Sequence, residues 1–129
     1  MLGKDATILV CDDMKLIRKT VIRYLNSLGY ENIIEAENGV EAVKLVKENS
    51  IDFMFIDMVM PHMNGNEALK LIHELDPWMN IVVLTSVADK EMMQECEAAD
   101  ILGYLLKPLD AATGPKKLQE MLDKAKTMF

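Results

Sequence analysis

Five residues of the chain are of types that could carry out chemistry together, and all of them stand just after the end of a short apolar run. They are two neighbouring carboxylates, a third carboxylate, a hydroxyl and an ammonium, namely Asp12, Asp13, Asp57, Thr85 and Lys107. Clustered carboxylates repel one another unless a cation lies between them, and oxygen ligands of this kind suit Mg²⁺. A hydroxyl and a lysine opposite such a cation suit a tetrahedral anion. The set predicts a Mg²⁺-assisted phosphoryl site wherever the fold brings it together.

Asp57 is the predicted nucleophile of this set. It ends the apolar run 53–56, and Pro61, Asn64 and Gly65 indicate a turn soon afterwards. An ionised carboxylate is costly to bury inside a sheet, so we interpret the run as a strand that delivers Asp57 to the sheet's edge. Carboxylates do form acyl phosphates. A single aspartate at a strand end is usually structural, but chemically matched residues after four different strands favour function.

The elements that must position these residues alternate along the whole chain. Apolar runs predict strands at 6–11, 32–36, 53–56, 81–84 and 103–106. Helical spacing predicts helices at 14–28, 39–48, from Asn64 or Asn66 to Asp76-Pro77, at 89–98, and from Pro115 onwards. The residues predicted to face inward in the second and third helices are Val40, Val43, Val46, Ala68, Ile72 and Leu75.

This alternation predicts an α/β fold of the doubly wound (βα)5 type, with one parallel sheet and helices on both faces. In such sheets the working site lies beyond the carboxyl ends of the strands, where all five candidate residues would meet. With no linker or repeat, we interpret residues 1–129 as one domain.

Composition limits the classes of function. The chain has 129 residues and a net charge of −7, which argues against nucleic acid as a partner, since phosphate binding needs a basic face. Two distant cysteines indicate no disulfide framework. The first residues lack a signal-peptide core, and no apolar run approaches the roughly 20 residues that span a bilayer. We therefore expect a cytoplasmic protein without a membrane partner.

At this point the chain resembles a response-regulator receiver domain of two-component signalling, over essentially its whole length. The likeness lies in Asp12-Asp13 after Ile-Leu-Val-Cys, in Asp57 of Asp-Met-Val-Met-Pro-His-Met-Asn-Gly, in Thr85 of Val-Val-Leu-Thr-Ser, and in Lys107-Pro108 of Gly-Tyr-Leu-Leu-Lys-Pro. The resemblance implies a flavodoxin-like sheet with strand order 2-1-3-4-5. It is strongest for the stand-alone chemotaxis-regulator type.

The resemblance also implies roles for these residues. Asp57 would accept a phosphoryl group, and Mg²⁺ would be held by Asp13, Asp57 and the backbone carbonyl of Val59, with Asp12 acting largely through water. Lys107-Pro108 would be a cis peptide. The protein would not be a turnover enzyme, because phosphotransfer and dephosphorylation would be its only self-catalysed reactions.

A switch follows from the same likeness. Thr85 would move toward the phosphoryl group and Tyr104 would change its exposure, so that the face formed by the fourth predicted helix, the fifth strand and the last helix would present a new surface. Partners would be a histidine kinase or phosphotransfer protein, a downstream protein target on that face, and a phosphatase. One departure is Asp100-Ile101, where the family often has Gly-Ala.

Other classes of function remain open from the residues. A haloacid-dehalogenase-type phosphatase also uses an aspartate nucleophile, a hydroxyl, a lysine and Mg²⁺, but needs an acid two residues after the nucleophile, where Val59 stands. A flavin mononucleotide binder would place phosphate after the first strand, where Asp12-Asp13 would repel it. Within the receiver family, a phosphorelay shuttle and an excised receiver of a larger regulator are the alternatives.

Overall fold

The computed structural model describes residues 2–58, 65–86, 94 and 100–125. Its strands are β1 (Ile8–Cys11), β2 (Ile33–Ala36), β3 (Phe53–Asp57), β4 (Asn80–Thr85) and β5 (Gly103–Leu106). Its helices are α1 (Lys15–Ser27), α2 (Gly39–Glu48), α3 (Gly65–Leu75) and α4 (Gly114–Leu122). The last of these is the fifth helix predicted from sequence, and the fourth, at 89–98, falls outside the described residues apart from Gln94.

All five strands run parallel in one sheet of order β2-β1-β3-β4-β5. Parallel neighbours require a crossover between them, and α1, α2 and α3 supply it between the first four strands. The predicted fold class and strand order are therefore confirmed. The central strands β1, β3 and β4 are buried along their whole length, as expected for strands covered on both faces.

Two hydrophobic cores lie on opposite faces of this sheet. On one face, Val21 and Leu25 of α1 and Leu118 and Leu122 of α4 pack against the strands. On the other face, side chains of α2 and α3 such as Val43 cover the sheet. Gly114 allows α1 and α4 to approach, since a Cβ there would lie 2.7 Å from the ring of Tyr24. The helices thus hold the sheet from both sides and leave its ends for chemistry.

Two predicted inward positions are wrong. Val40 is 52 % exposed and Leu75 is 46 % exposed. In α2 the buried residues are Gly39, Ala42 and Val43, and the face that they form is centred roughly 100° around the helix from Val40. In α3 the fully covered stripe is Ala68, Leu69 and Ile72, and Leu75 lies beyond it at the helix end.

The ends of the elements follow local backbone chemistry. Gly29 has φ of 99°, the left-handed conformation that ends α1 where the sequence predicted it. The predicted first strand is two residues shorter than expected, and the backbone N–H of Thr7 instead donates to Asp52. Asp100, at the position where the family often has glycine, has φ of 55°. That conformation favours glycine and tolerates aspartate, so the backbone of the connection is kept despite the substitution.

None of the helices within the described ranges is long and apolar enough to cross a bilayer.

Candidate functional site

Asp12 is the most firmly held residue at the carboxyl edge of the sheet. It is fully buried directly after β1. Its backbone N–H donates to the carbonyl of Ala36 (3.1 Å), and its carbonyl accepts from Nη1 of Arg18 (2.8 Å). Its Oδ1 accepts from the N–H of Met14 (2.9 Å), and its Oδ2 from Nζ of Lys107 (2.9 Å). The backbone and both carboxylate oxygens are therefore fixed before any ligand binds.

Asp13 and Asp57 complete a group of three carboxylates. Carboxylate oxygens of Asp12, Asp13 and Asp57 all lie within 4.8 Å of one another. Asp57 is the last residue of β3 and is 4 % exposed, whereas Asp13 is exposed at the mouth of the group. The sheet register explains this meeting, because Cys11 pairs with Ile56 and the next residue of each strand is an aspartate. The sequence prediction that these three side chains converge is confirmed.

Lys107 supplies the cation of the cluster. Its Nζ lies 2.9 Å from Oδ2 of Asp12 and 3.1 Å from Oδ2 of Asp57, and its side chain is only 10 % exposed. Burial alone would lower the pKa of the ammonium, but its hydrogen bond to Asp12 and the charges of Asp57 and Asp12 outweigh burial and raise the pKa overall. Lys107 is therefore charged at neutral pH, and it links β5 to carboxylates at the ends of β1 and β3.

The backbone around Lys107 is also fixed. Its N–H donates to the carbonyl of Thr85 (2.7 Å), and the Lys107-Pro108 peptide is cis, as the resemblance implies. Thr85 is the last residue of β4 and is 3 % exposed. Asp57 pairs with Leu84 in the register, so Thr85 stands one residue beyond it on the neighbouring strand. The structure thus gathers every sequence-predicted chemical residue at one edge.

Tyr104 lies in β5, paired with Val83, and is partly buried against the core that α2 and α3 cover. A half-buried aromatic of this kind can change its exposure without disturbing the fully buried strands. Val59, the predicted backbone ligand, lies outside the described residues.

The residues present fit a divalent cation. Three carboxylates and one ammonium carry a formal charge of −2 (−3 + 1), and all three carboxylates offer oxygen ligands within one ion's reach. Asp13 is exposed, so the site is open to water on that side, and Mg²⁺ characteristically keeps several waters. The chemistry of the donor set therefore favours a hydrated, hard cation over a thiolate-bound metal.

Cys11 is the other nucleophilic group near this cluster. Its thiol donates to the carbonyl of Asn38 (3.4 Å), and burial, with the nearby charges of Asp12 and Asp57, raises the pKa of the thiol far above its ordinary value. Because the thiolate is the reactive form, Cys11 is a core residue and not a competing nucleophile.

Sequence reasoning missed Arg18. Its helical position lies between the apolar residues of α1, where basic residues are ordinarily exposed, yet Arg18 is only 6 % exposed. Its Nε donates to Glu35 (3.0 Å), and Glu37 lies 3.7 Å from Nη2. The available signal was the pair of glutamates at the end of β2, the strand next to β1.

The class of protein follows from this fold and site together with comparison to known proteins. Residues 8–120 match the sequence model of the response regulator receiver domain. The chain therefore belongs to the response-regulator receiver family, as the resemblance indicated.

Particular relatives are chemotaxis proteins. The chain is 34 % identical to chemotaxis protein CheY-3 of Vibrio cholerae over 126 residues, which are 96 % of this chain and 97 % of the relative. It is also 34 % identical to chemotaxis protein CheY of Halobacterium salinarum over 115 residues, covering 89 % of this chain and 95 % of that protein.

Solved structures agree with these relatives. CheY4 of Vibrio cholerae superposes with a TM-score of 0.83 at 30 % identity, covering 95 % of this chain and 99 % of that chain. CheY in a complex with CheX, BeF₃ and Mg²⁺ from Borrelia burgdorferi superposes with a TM-score of 0.82 at 26 % identity, covering 91 % of this chain and 86 % of that one. The chain is thus a CheY-like receiver domain of the response-regulator class of signalling proteins.

Proposed function

We propose that this protein is a phosphorylation-dependent signalling switch that accepts a phosphoryl group on Asp57. The observation that carries the proposal is the contact of Asp57 with Lys107 inside a cluster of three carboxylates, two of them buried, whose oxygens lie within 4.8 Å of one another. Carboxylates with a formal excess of negative charge are costly for a folded protein, so the arrangement favours a site that receives a cation. The bound cation and the ammonium of Lys107 would then attract an anionic group. The donor is a histidine kinase, a phosphotransfer protein or a small phosphodonor.

In this proposal each residue has a separate task. A carboxylate oxygen of Asp57 attacks the phosphorus of the donor, an acyl phosphate bond forms, and the bond to the donor's leaving group breaks. Lys107 already contacts Asp57 and offers its ammonium to an oxygen of the incoming group. Asp12, Asp13 and Asp57, with the Val59 carbonyl, would hold Mg²⁺, which neutralises charge on the transferring phosphoryl group.

The output is a two-state change of packing. Thr85 moves toward the phosphoryl group, and Tyr104 changes its exposure at a face that includes β5 and α4, together with the predicted fourth helix, which lies outside the described residues apart from Gln94. Because the phosphoryl group binds one arrangement of Thr85 better, phosphorylation shifts the population toward that arrangement. A protein target then docks on this face. The solved CheY complex with CheX, BeF₃ and Mg²⁺ supports both the metal and a protein partner.

We also propose that the protein stores the phosphoryl group and does not act as a turnover phosphatase. The residue two positions after Asp57 is Val59, whose apolar side chain cannot act as a general acid.

Phosphoryl uptake tests the proposal. The protein is treated with acetyl phosphate and Mg²⁺, and intact mass is measured for the wild type, for Asp57→Asn and for the matched control Asp52→Asn at the other end of β3. We expect the wild type and Asp52→Asn to gain one phosphoryl group and Asp57→Asn to gain none. Uptake by Asp57→Asn, or its absence from the wild type, would overturn the assignment of Asp57.

A further inference from the structure

We propose that Arg18 is a positioning residue, which holds the peptide between Asp12 and Asp13 in the orientation that Mg²⁺ binding requires. This inference rests on the proposed function, since it concerns the same metal site. It assigns a task at the carboxyl edge to a residue of α1 that does not itself belong to the acidic cluster.

The first argument is the contact that Arg18 makes. Its Nη1 donates to the carbonyl oxygen of Asp12 at 2.8 Å, in a buried position. That carbonyl belongs to the peptide plane joining Asp12 to Asp13. Rotation of the plane would swing the Cα of Asp13, and with it the carboxylate that faces solvent. A charge-assisted hydrogen bond at this length is among the stronger ones in proteins.

The second argument is that the other bonds of Asp12 do not fix this plane. The N–H of Asp12 is bound by Ala36, which orients the preceding peptide, and the carboxylate of Asp12 is bound by Met14 and Lys107. Asp13 is exposed, so its place depends on the backbone that carries it. Met14 constrains the peptide that follows Asp13, and Arg18 is the side chain that binds the carbonyl of the peptide before it.

The third argument is that Arg18 is itself held in place. Its Nε donates to Glu35 at 3.0 Å, and Glu35 also accepts from Lys19 at 2.7 Å. The hydrogen bond from Lys19, and after it that from Arg18, lowers the pKa of Glu35, although burial opposes this. Glu35 is therefore ionised at neutral pH, and its negative charge compensates the positive charge of the guanidinium. Arg18 therefore acts on the acidic cluster mainly by orienting the Asp12 peptide and less by its charge.

The sign of one measurement separates positioning from simple charge. If Arg18 acted only as a nearby positive charge, Arg18→Met would remove repulsion and Mg²⁺ would bind more tightly. If Arg18 positions Asp13, Arg18→Met would bind Mg²⁺ more weakly. Arg18→Lys keeps the charge but loses the planar fork that serves both the carbonyl and Glu35, so it is also expected to weaken binding.

The experiment is an NMR titration of the full chain with MgCl₂. We expect the Kd of Mg²⁺ to rise at least about fivefold in Arg18→Met and in Arg18→Lys, as for other residues that orient metal ligands. The matched control is Lys19→Met, which removes the other cation on Glu35 without touching Asp12, and its Kd should change by less than about twofold. Urea unfolding of each variant measures its stability separately, so that a loss of Mg²⁺ affinity can be told apart from a loss of folded protein.

The outcomes distinguish the two proposals. Wild-type protein that binds no Mg²⁺, or an Asp13→Asn variant that binds it as well as the wild type, would overturn the proposed metal site. Wild-type binding with an unchanged or tighter Kd in Arg18→Lys would overturn the role of Arg18 alone. If Arg18→Met does not fold, Arg18→Lys decides the question, because it retains the charge and the aliphatic stem.

Discussion

The two ends of β3 carry aspartates in opposite circumstances. Asp52, just before the strand, is exposed, and its Oδ2 accepts the backbone N–H of Thr7 at 2.9 Å. Asp57, at the strand's last position, is 4 % exposed and shares Lys107 with another buried carboxylate. The Asp52 carboxylate joins two backbone segments in contact with water, whereas the Asp57 carboxylate lies close to other negatively charged carboxylates.

The difference shows what distinguishes a structural aspartate from a chemical one in this fold. At the amino end, Asn80 donates to the carbonyl of Asp52 at 3.0 Å, so neutral and backbone groups satisfy one another. At the carboxyl end, the buried carboxylates of Asp12 and Asp57 share the ammonium of Lys107, and Asp13 adds a third carboxylate beside them, an arrangement that suits a bound cation. Local sequence makes the two aspartates look alike, since each flanks the same apolar run. Their neighbours from other strands make them different.

The largest effect is expected from Lys107→Met, which breaks the carboxyl end. Removal of the ammonium leaves Asp12 and Asp57 buried with like charge, and breaking such a pair costs about 3 kcal/mol of the free energy of unfolding. Saturating Mg²⁺ should reduce the loss, because a bound cation replaces the missing charge and stabilises the folded state. Urea unfolding with and without Mg²⁺ measures both values.

The control for this variant is Lys19→Met, which removes an exposed partner of Glu35 and should cost less than about 1 kcal/mol. An equal loss of stability in Lys107→Met with and without Mg²⁺ would contradict the idea that a cation compensates these carboxylates.

A smaller effect is expected from Asn80→Ala, which breaks the amino end. Asn80 is 6 % exposed, and its loss removes the buried amide that donates to the carbonyl of Asp52, at a cost of about 1 to 2 kcal/mol. The Kd for Mg²⁺ should stay within about twofold of the wild type, because the damage lies at the opposite end of the sheet. Unfolding in urea and an NMR titration with MgCl₂ test the two halves of this prediction. A weakened Mg²⁺ site in Asn80→Ala would show that the two ends are coupled.

The smallest effect is a pH dependence confined to the carboxyl end. The pKa of Lys107 is raised in the folded protein, so its contribution to stability is complete below its ordinary value of 10.5 and is lost as pH rises through the higher folded value. Between pH 10 and pH 11.5, wild-type protein should therefore lose more stability than Lys107→Met, by roughly the linkage expected of one titrating group. Urea unfolding across this range is the measurement, with Asn80→Ala expected to follow the wild type. If the free energy of unfolding fell equally with pH in the wild type and in Lys107→Met, the titration of Lys107 would not be the cause of that loss.

Much of the fold could be predicted from sequence because short apolar runs, which indicate strands, alternate with stretches in which apolar residues recur at helical spacing. The period changes at each element, and parallel pairing then forces the carboxyl ends of the strands to one edge. The positions of Val40 and Leu75 could not be predicted, because a short helix with several apolar residues offers more than one candidate face. Which face is buried depends on the crossing of α2 and α3, which no local pattern contains.

The site was predictable where chemistry follows a strand end directly, as for Asp57 and Thr85. The burial of Arg18 could not be predicted, because it depends on the glutamates at the end of β2 and on the backbone carbonyl of Asp12. A periodic pattern assigns a basic residue to the surface by default. Only the sheet order, which sets β2 beside β1, turns that surface position into an interior one.

Lys107 also has a mechanical consequence. It follows β5, one of the two edge strands, yet its ammonium contacts carboxylates at the ends of β1 and β3, neither of which is a neighbour of β5 in the sheet. The carboxyl end of this edge strand is therefore held by a charged contact to β1 and β3 in addition to its backbone hydrogen bond to Thr85 of β4. Any event that moves the Lys107 ammonium to a new anion therefore changes how firmly β5 is held to the rest of the sheet. The amide protons of β5 should then exchange with solvent at a rate that reports the chemistry occurring two strands away.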